Sequence, residues 1–498
     1  MNVNPITRLD YPDPDVIRVE DTYYMVSTTM HFMPGCEILQ SFDLVHWEHV
    51  TYVYETLDHT DAQQLKRGQN IYGQGMWAAS LRYHEGRFYI CFVANDTRKT
   101  YLYTSEKIDG PWKKQLIEGF YHDGSLLFDE DGRNYIVYGN DEIWITELNE
   151  DLTAPKKDGL HRLLVSDHKN PELGYEGSHI QKINGYYYIF LVHSLRDRWM
   201  RTEACFYSDS LEGEFTGGDV LCDDRGYCGQ GVAQGGIVDT PDGKWYAMLF
   251  QDSGAVGRIP ILLPVTWKDH FPFFGQNGHV PEEIEVHSTR PGYIYQPLVG
   301  SDDFCNGLLP RWQFNHDPDP RYYHLDALQG TYTITTREVC TELTQAVNTL
   351  TQRMSYPSCA AEVTVDASAL KEGDVAGLCA LQSCYAAVGI TKHHGKYEVL
   401  MLDKKEDGIL DMTEGTVVES HQMDFRLEAD FCNMKDEARC YYRVNKGDWL
   451  PIGTVHKLYF KLDHFTGCRF GLFCYAAEET GGSACFRDFK YYDVDEIS

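Results

Sequence analysis

Five segments in the first 300 residues repeat one pattern: a short apolar strand, a tight polar turn and an aromatic-rich strand. They are "DVIRVEDTYYMVS", "SLRYHEGRFYICF", "SLLFDEDGRNYIVYG", "SHIQKINGYYYIFLV" and "GIVDTPDGKWYAMLF". Four of the turns hold a glycine, in Glu85-Gly86, Asp131-Gly132, Asn184-Gly185 and Asp242-Gly243. Glycine tolerates the positive φ that tight hairpins demand. The first copy is the weakest and has Thr22 at the glycine position. Antiparallel repeats spaced irregularly by roughly 50 residues predict propeller blades. A sandwich also contains hairpins, but not five self-similar ones at that spacing. Residues 1–300 are therefore expected to form a five-bladed β-propeller.

Counting nine residues back from each turn position lands on Asp13, Trp77, Asp123, Glu176 and Gln234. Each stands at the start of the strand that leads into the hairpin. In a propeller the innermost strands line the central channel, so these five side chains should ring one of its mouths. Three carboxylates converging there are costly unless paired or partly protonated, and that cost points to function. Pro12 and Pro14 flank Asp13 and stiffen its backbone. Asp15 competes with Asp13 for the same role, and the repeat phase favours Asp13. Asp129 and Asp131 belong to a turn. Two carboxylates in different environments are the apparatus of glycoside hydrolysis, in which one donates a proton and the other activates water or attacks. A third can raise the acid's pKa by like-charge repulsion. Trp77 supplies a face for a sugar ring.

Composition narrows the partners. The formal charge of −31 repels phosphate backbones and argues against nucleic acid. The start, "MNVNPITRLDYPDPD", has neither a basic n-region nor an apolar h-region, so no signal peptide is expected. No apolar run approaches the ~20 residues of a membrane helix. Fifteen cysteines, odd in number and without a CxxC pair, suit a reduced, cytoplasmic protein better than a disulfide framework.

The segments "YPDPDVIRVEDTYYM", "GMWAASLRYHEGRFYI", "HDGSLLFDEDGRNYIVYG", "YEGSHIQKINGYYYIF" and "GRIPILLPVTW" resemble, in order, those of glycoside hydrolase family 43. The resemblance implies a five-bladed propeller that hydrolyses arabinose- and xylose-containing glycans with inversion. It makes Asp13 the general base, Asp123 the pKa modulator, Glu176 the general acid and Arg258 a ligand of the −1 sugar. The implied substrate is a xylo- or arabino-oligosaccharide with a terminal β-D-xylosyl or α-L-arabinofuranosyl group. The rivals are an arabinan- or galactan-directed member of the family and a non-catalytic sugar-binding propeller. Many members carry a channel histidine where this chain has Gln234. No metal ligand and no required cofactor are therefore assigned, although an amide oxygen remains compatible with a structural calcium. "MHFMPG" also departs from the more aromatic version in xylosidases, and Met30, Phe32 and Met33 are expected in the pocket wall, with Phe32 touching substrate.

The hairpin repeat stops after "YIYQPLVGSDDF". Residues 301–498 show alternating strands without helical periodicity and predict a β-sandwich, concanavalin-like or carbohydrate-binding. They resemble the sandwich appended to xylosidase-like members of the family. The expected role is to buttress the propeller and lend a loop to the pocket rim, with "EETGGS" at 478–483 as the candidate. Its final segment, "ACFRDFKYYDV", should be a strand that pairs back toward the start of the domain. Homo-oligomerisation is compatible with the sequence but not dictated by it.

Overall fold

The computed structural model describes residues 2–493, in which strands form five separate four-stranded antiparallel sheets followed by two larger sheets. The innermost strand of each blade is Asp15–Val19, Met76–His84, Ser125–Phe128, Glu176–Ile183 or Ala233–Asp239. Each pairs with its hairpin partner, and two more strands follow outward. Apolar side chains on the sheet faces interlock between blades. Ile38, Leu81 and Ile90 belong to one such core, and Ile145, Ile180 and Ile189 to another. The amino-terminal segment closes the ring: Asn4 exchanges hydrogen bonds with Leu262 of the fifth blade, and Tyr11 donates its N–H to the Arg258 carbonyl.

Turn chemistry differs between blades. Three hairpins have two-residue loops, Glu20-Asp21, Glu85-Gly86 and Asn184-Gly185, and the other two have five-residue loops over 129–133 and 240–244. The glycine position in the first hairpin is thus Asp21, not Thr22. Five residues at one level of the channel adopt left-handed backbone: Asp13 (φ 52°), Ala78 (32°), Asp123 (48°), Gly177 (66°) and Gln234 (62°). Left-handed backbone is uncommon away from glycine, so its recurrence here identifies the true structural repeat. Trp77 and Glu176 each precede that position by one residue. The ladder register shifts between Trp77 and Ser80 and between Glu176 and His179, and these irregularities belong to the segments that turn both side chains toward the channel mouth.

The carboxy-terminal strands form sheets of seven and nine strands around a shared core that includes Trp312, Phe425, Phe470 and Phe486. Ser483–Tyr492 lies between Thr331–Thr335 and Ser358–Asp366, so the last described strand does pair back toward the start of its domain. The ninth strand of the larger sheet is Phe32–Met33, contributed by the propeller and paired with Gln313–Asn315. This corrects the expectation for "MHFMPG". Phe32 is buried under the Arg469 guanidinium, whose Cζ lies 3.4 Å from the ring centroid. Met30 and Met33 are likewise fully buried. The segment faces the sandwich rather than the channel, so Phe32 is an interface residue and not part of the pocket lining.

Candidate active site

At one mouth of the channel a pocket of about 210 Å³ is lined by Asp13, Trp77, His122, Asp123, Glu176 and Arg258, with Gln234, Arg201, Trp199, Leu173, Leu462 and Phe465 completing it. A larger cavity of about 420 Å³ opens at the other mouth. There the cations Arg18, Arg82 and Lys182 are already paired with Asp239, Asp15 and Asp129. Asp13, Asp123 and Glu176 line the smaller pocket and not the larger, so the smaller pocket is the candidate.

The structure brings together six of the seven residues singled out in the sequence, Phe32 being the exception. Asp13 accepts from Thr28 Oγ1 at 2.5 Å and from Arg258 Nη1 at 2.6 Å. Arg258 also reaches Asp252, as does the buried Arg201. Asp13, Asp252, Arg201 and Arg258 thus form a buried cluster of two carboxylates and two guanidiniums with no net charge. Asp15 lies deeper, clamped by Arg82 at 2.8 Å and His179 at 3.1 Å, and is structural. This separates it from Asp13. Trp77 Nε1 is buried without a partner among the described residues, which leaves a donor for a sugar hydroxyl. Gln234 donates its N–H to Glu203 at 2.7 Å, and its side chain lies against Gly177, where a Cβ would come within 2.7 Å of Gln234 Cγ.

Three features were not found in the sequence. His122 stands between the other two carboxylates, its Nε2 being 3.5 Å from Asp123 Oδ2 and 3.4 Å from Glu176 Oε2. Asn140 Nδ2 donates to that same Glu176 oxygen at 2.8 Å. Burial followed by the charges of Glu176 and Asp13 raises Asp123 to about 6, against the lowering effect of His122. Burial also pushes Glu176 upward, but the hydrogen bond and charge of His122, with Arg201 and Arg258 behind them, hold it below the usual carboxylate range. His122 itself rises to about 9, because Asp123, Glu176 and Asp13 outweigh its burial. The expectation that Asp123 modulates the acid's pKa therefore left out His122, the neighbour that lowers it.

The second feature is Arg201, described above. The third is the rim loop, which comes from the sandwich at Leu462–Phe465 and not from 478–483. Phe465 packs on Trp77 with ring centroids 5.0 Å apart and on the Arg258 guanidinium at 3.7 Å. The Gly467 N–H to Asp10 and the Cys468 N–H to the Ala255 carbonyl tie the loop to the propeller. The 478–483 segment instead bonds to Lys371 and Thr336 of its own domain.

Beneath the pocket, a cavity of about 10 Å³ touches Asp13, Asp123, Ser178, His179 and Gln234. Ser178 Oγ has no partner among the described residues, while His179 Nδ1 faces Asp15 and Arg82 already neutralises the channel carboxylate. A hydroxyl, an imidazole and an amide, beside carboxylates already held by Thr28, Arg258 and the Gly177 N–H, suit a water molecule. They do not fit a resident calcium, which seeks six to eight oxygen ligands.

The chain matches the sequence model of "Glycosyl hydrolases family 43" over residues 3–272 and that of a "Beta xylosidase C-terminal Concanavalin A-like domain" over 301–492. It is 27% identical to a β-xylosidase of Formosa agariphila, covering 99% of this chain and 89% of that one. A non-reducing-end α-L-arabinofuranosidase of Bacteroides ovatus is 24% identical over 82% of this chain and 79% of its own length. Among solved structures, a "bifunctional GH43-CE" protein of Bacteroides eggerthii superposes with a TM-score of 0.91 at 42% identity. That match covers 99% of this chain, which spans 63% of the solved one. The carboxylate-ringed propeller mouth and these matches agree: the chain is a glycoside hydrolase and belongs to family 43.

Proposed function

We propose that the protein is an inverting, exo-acting glycosidase that removes terminal β-D-xylosyl or α-L-arabinofuranosyl groups from short oligosaccharides. The observation that carries this reading is a one-sugar pocket with Asp13 and Glu176 on the first and fourth blades. Its volume of about 210 Å³ falls below the roughly 300–1,000 Å³ typical of drug-sized ligands, so it suits a single terminal ring. The first and fourth blades are not adjacent in a ring of five. In this reading their carboxylates face one another across the channel, and inversion calls for about 6.5–9.5 Å between such a pair so that a water fits. In this reading Asp13 takes the proton of the attacking water, Glu176 protonates the leaving oxygen and Asp123 tunes the acid. Trp77 and Gln234 border the bound sugar, and Arg258 fixes Asp13. The β-xylosidase and arabinofuranosidase relatives support the sugar class.

Proton NMR of the first-formed sugar tests the stereochemistry. A β-xyloside should release α-xylose, and early β-xylose would refute inversion. Release of p-nitrophenol from the β-xyloside and the α-arabinofuranoside tests the sugar class. Neither substrate reacting while sugar still binds would favour a lectin-like propeller.

Asp123→Asn checks the tuning role. Removing this charge weakens the hold on protons at both His122 and Glu176. The acid must be protonated to work, so the alkaline limb of kcat/KM should move to lower pH. An unmoved limb would leave Asp123 only a positioning part.

A further inference from the structure

The pocket contains one titratable group to which the proposed mechanism gives no task, His122. It is partly buried against the Trp77 ring, with centroids 6.4 Å apart, and its Nε2 is within 3.5 Å of a carboxylate oxygen on either side. The charged groups acting on this corner are Asp123 of its own strand approach, Glu176 from the fourth blade and Asp13 from the first, with Arg201 and Arg258 behind Glu176. We propose that His122 holds the proton that Glu176 delivers: imidazole and carboxyl share one proton across their contact, and the leaving oxygen draws it through Glu176. His122 acts through Glu176 and is in that sense a positioning partner. The proposal rests on Glu176 being the acid.

Geometry supports a shared proton over two independent ones. Asn140 and His122 both approach Glu176 Oε2. Among the described residues no hydrogen bond reaches Oε1, and rotation of the carboxyl, a broad two-fold torsion, interchanges the two oxygens. With the proton on His122 the pair is imidazolium and carboxylate. With it on Glu176 the pair is neutral and competent to act. In the reaction, the C1–O bond breaks as Glu176 protonates the leaving oxygen, while water bonds to C1 and gives its proton to Asp13. The proton leaves His122 for Glu176 ahead of this transfer, so bond cleavage leaves a neutral imidazole beside a carboxylate. After product release Asp13 loses its proton to solvent and His122 regains one, so no proton is gained or lost over a turnover.

Coupled groups titrate with values that belong to the pair. The wild-type alkaline limb should therefore follow the loss of the shared proton, in the region of 9 where His122 is placed. In His122→Gln the proton has only Glu176 to hold it, so the limb of kcat/KM on xylobiose should move to lower pH by at least about one unit. The ratio of activity at about pH 8.5 to that at about pH 5.5 should then fall at least about threefold, and the drop should approach tenfold at pH above both limbs, where one unit is one decade. A charged spectator would give the opposite sign, because losing a cation makes Glu176 harder to deprotonate. An upward shift or an unmoved limb overturns the proposal. His122→Asn provides a second variant, and wild-type protein a direct reading: the imidazole NMR signal missing from His122→Asn should titrate near 9, and titration at or below the ordinary value of about 6.5 overturns the proposal. If Glu176→Gln proves insensitive to the leaving group, the acid assignment fails and this proposal with it. If Glu176→Gln behaves as an acid variant while the His122 profiles stay fixed, this proposal alone falls.

Discussion

Asp13→Ala is expected to lose roughly 10²–10⁴-fold in kcat on xylosides, the usual worth of a general base, and to regain activity when azide is added. Azide attacks without giving up a proton, so it needs no base. The pocket also favours it electrostatically. Asp13, Asp252, Arg201 and Arg258 balance in the wild type. Removing Asp13 leaves one uncompensated buried positive charge beside the space the carboxylate occupied, and a small anion relieves that cost. The product carries the diagnosis. Attack from the side of Asp13 on a β-xyloside yields α-xylosyl azide, whereas β-xylosyl azide would mean that azide had entered from the opposite face and that the attacking water does not come from the side of Asp13. Loss of activity without rescue, in a variant whose circular dichroism matches the parent, would remove Asp13 from the base role. Arg258 keeps Asp252 and the Phe250 and Phe465 rings around it, so the fold should tolerate the change.

The propeller was legible because its signal repeats. Five hairpins, each weak alone, share one phase, and phase selects equivalent positions without any contact being known. The count of nine nevertheless reached the right side chains by three routes, and in the first blade it did so by starting at Thr22, one residue past the glycine position. In the third and fifth blades it passes through a five-residue loop. In the second and fourth it falls one residue short of the left-handed position, and the register shifts after Trp77 and Glu176 make up the difference. Arg201 was findable by the same logic. It begins the third strand of the fourth blade as Arg258 begins that of the fifth, and both reach Asp252. His122 was findable as a titratable neighbour of a ring position.

Phe32 and Phe465 were not findable in this way. Each owes its place to a surface hundreds of residues away in sequence, where Phe32 meets Arg469 and Phe465 meets Arg258. No local pattern encodes which face of a propeller a downstream sandwich will cover. The glycine-bearing 478–483 segment looked like a rim loop because it is polar and turn-rich, and those properties describe any exposed turn.

Glu176→Gln should have an effect of comparable size, but one that depends on the leaving group. Xylobiose releases a sugar alkoxide, a poor leaving group that departs only with a proton, so its hydrolysis should fall by roughly 10²–10⁴-fold. A dinitrophenyl xyloside releases a stabilised anion that hardly needs the proton, and its rate should fall far less. The substitution also bears on the balance of the pocket. The amide keeps the size of the carboxyl and an oxygen for Asn140 to reach, so binding of the sugar ring should change little and the loss should appear in kcat. His122 loses the carboxylate that faces it at 3.4 Å and keeps Asp123 at 3.5 Å, so its own pKa should drop from the neighbourhood of 9. Rates for a series of aryl xylosides, plotted against the pKa of the released phenol, separate the two roles a carboxylate can have here. A steep dependence in Glu176→Gln with a shallow one in the parent identifies the proton donor. Equal losses across the series would mean that Glu176 only shapes the pocket and that the proton comes from another group.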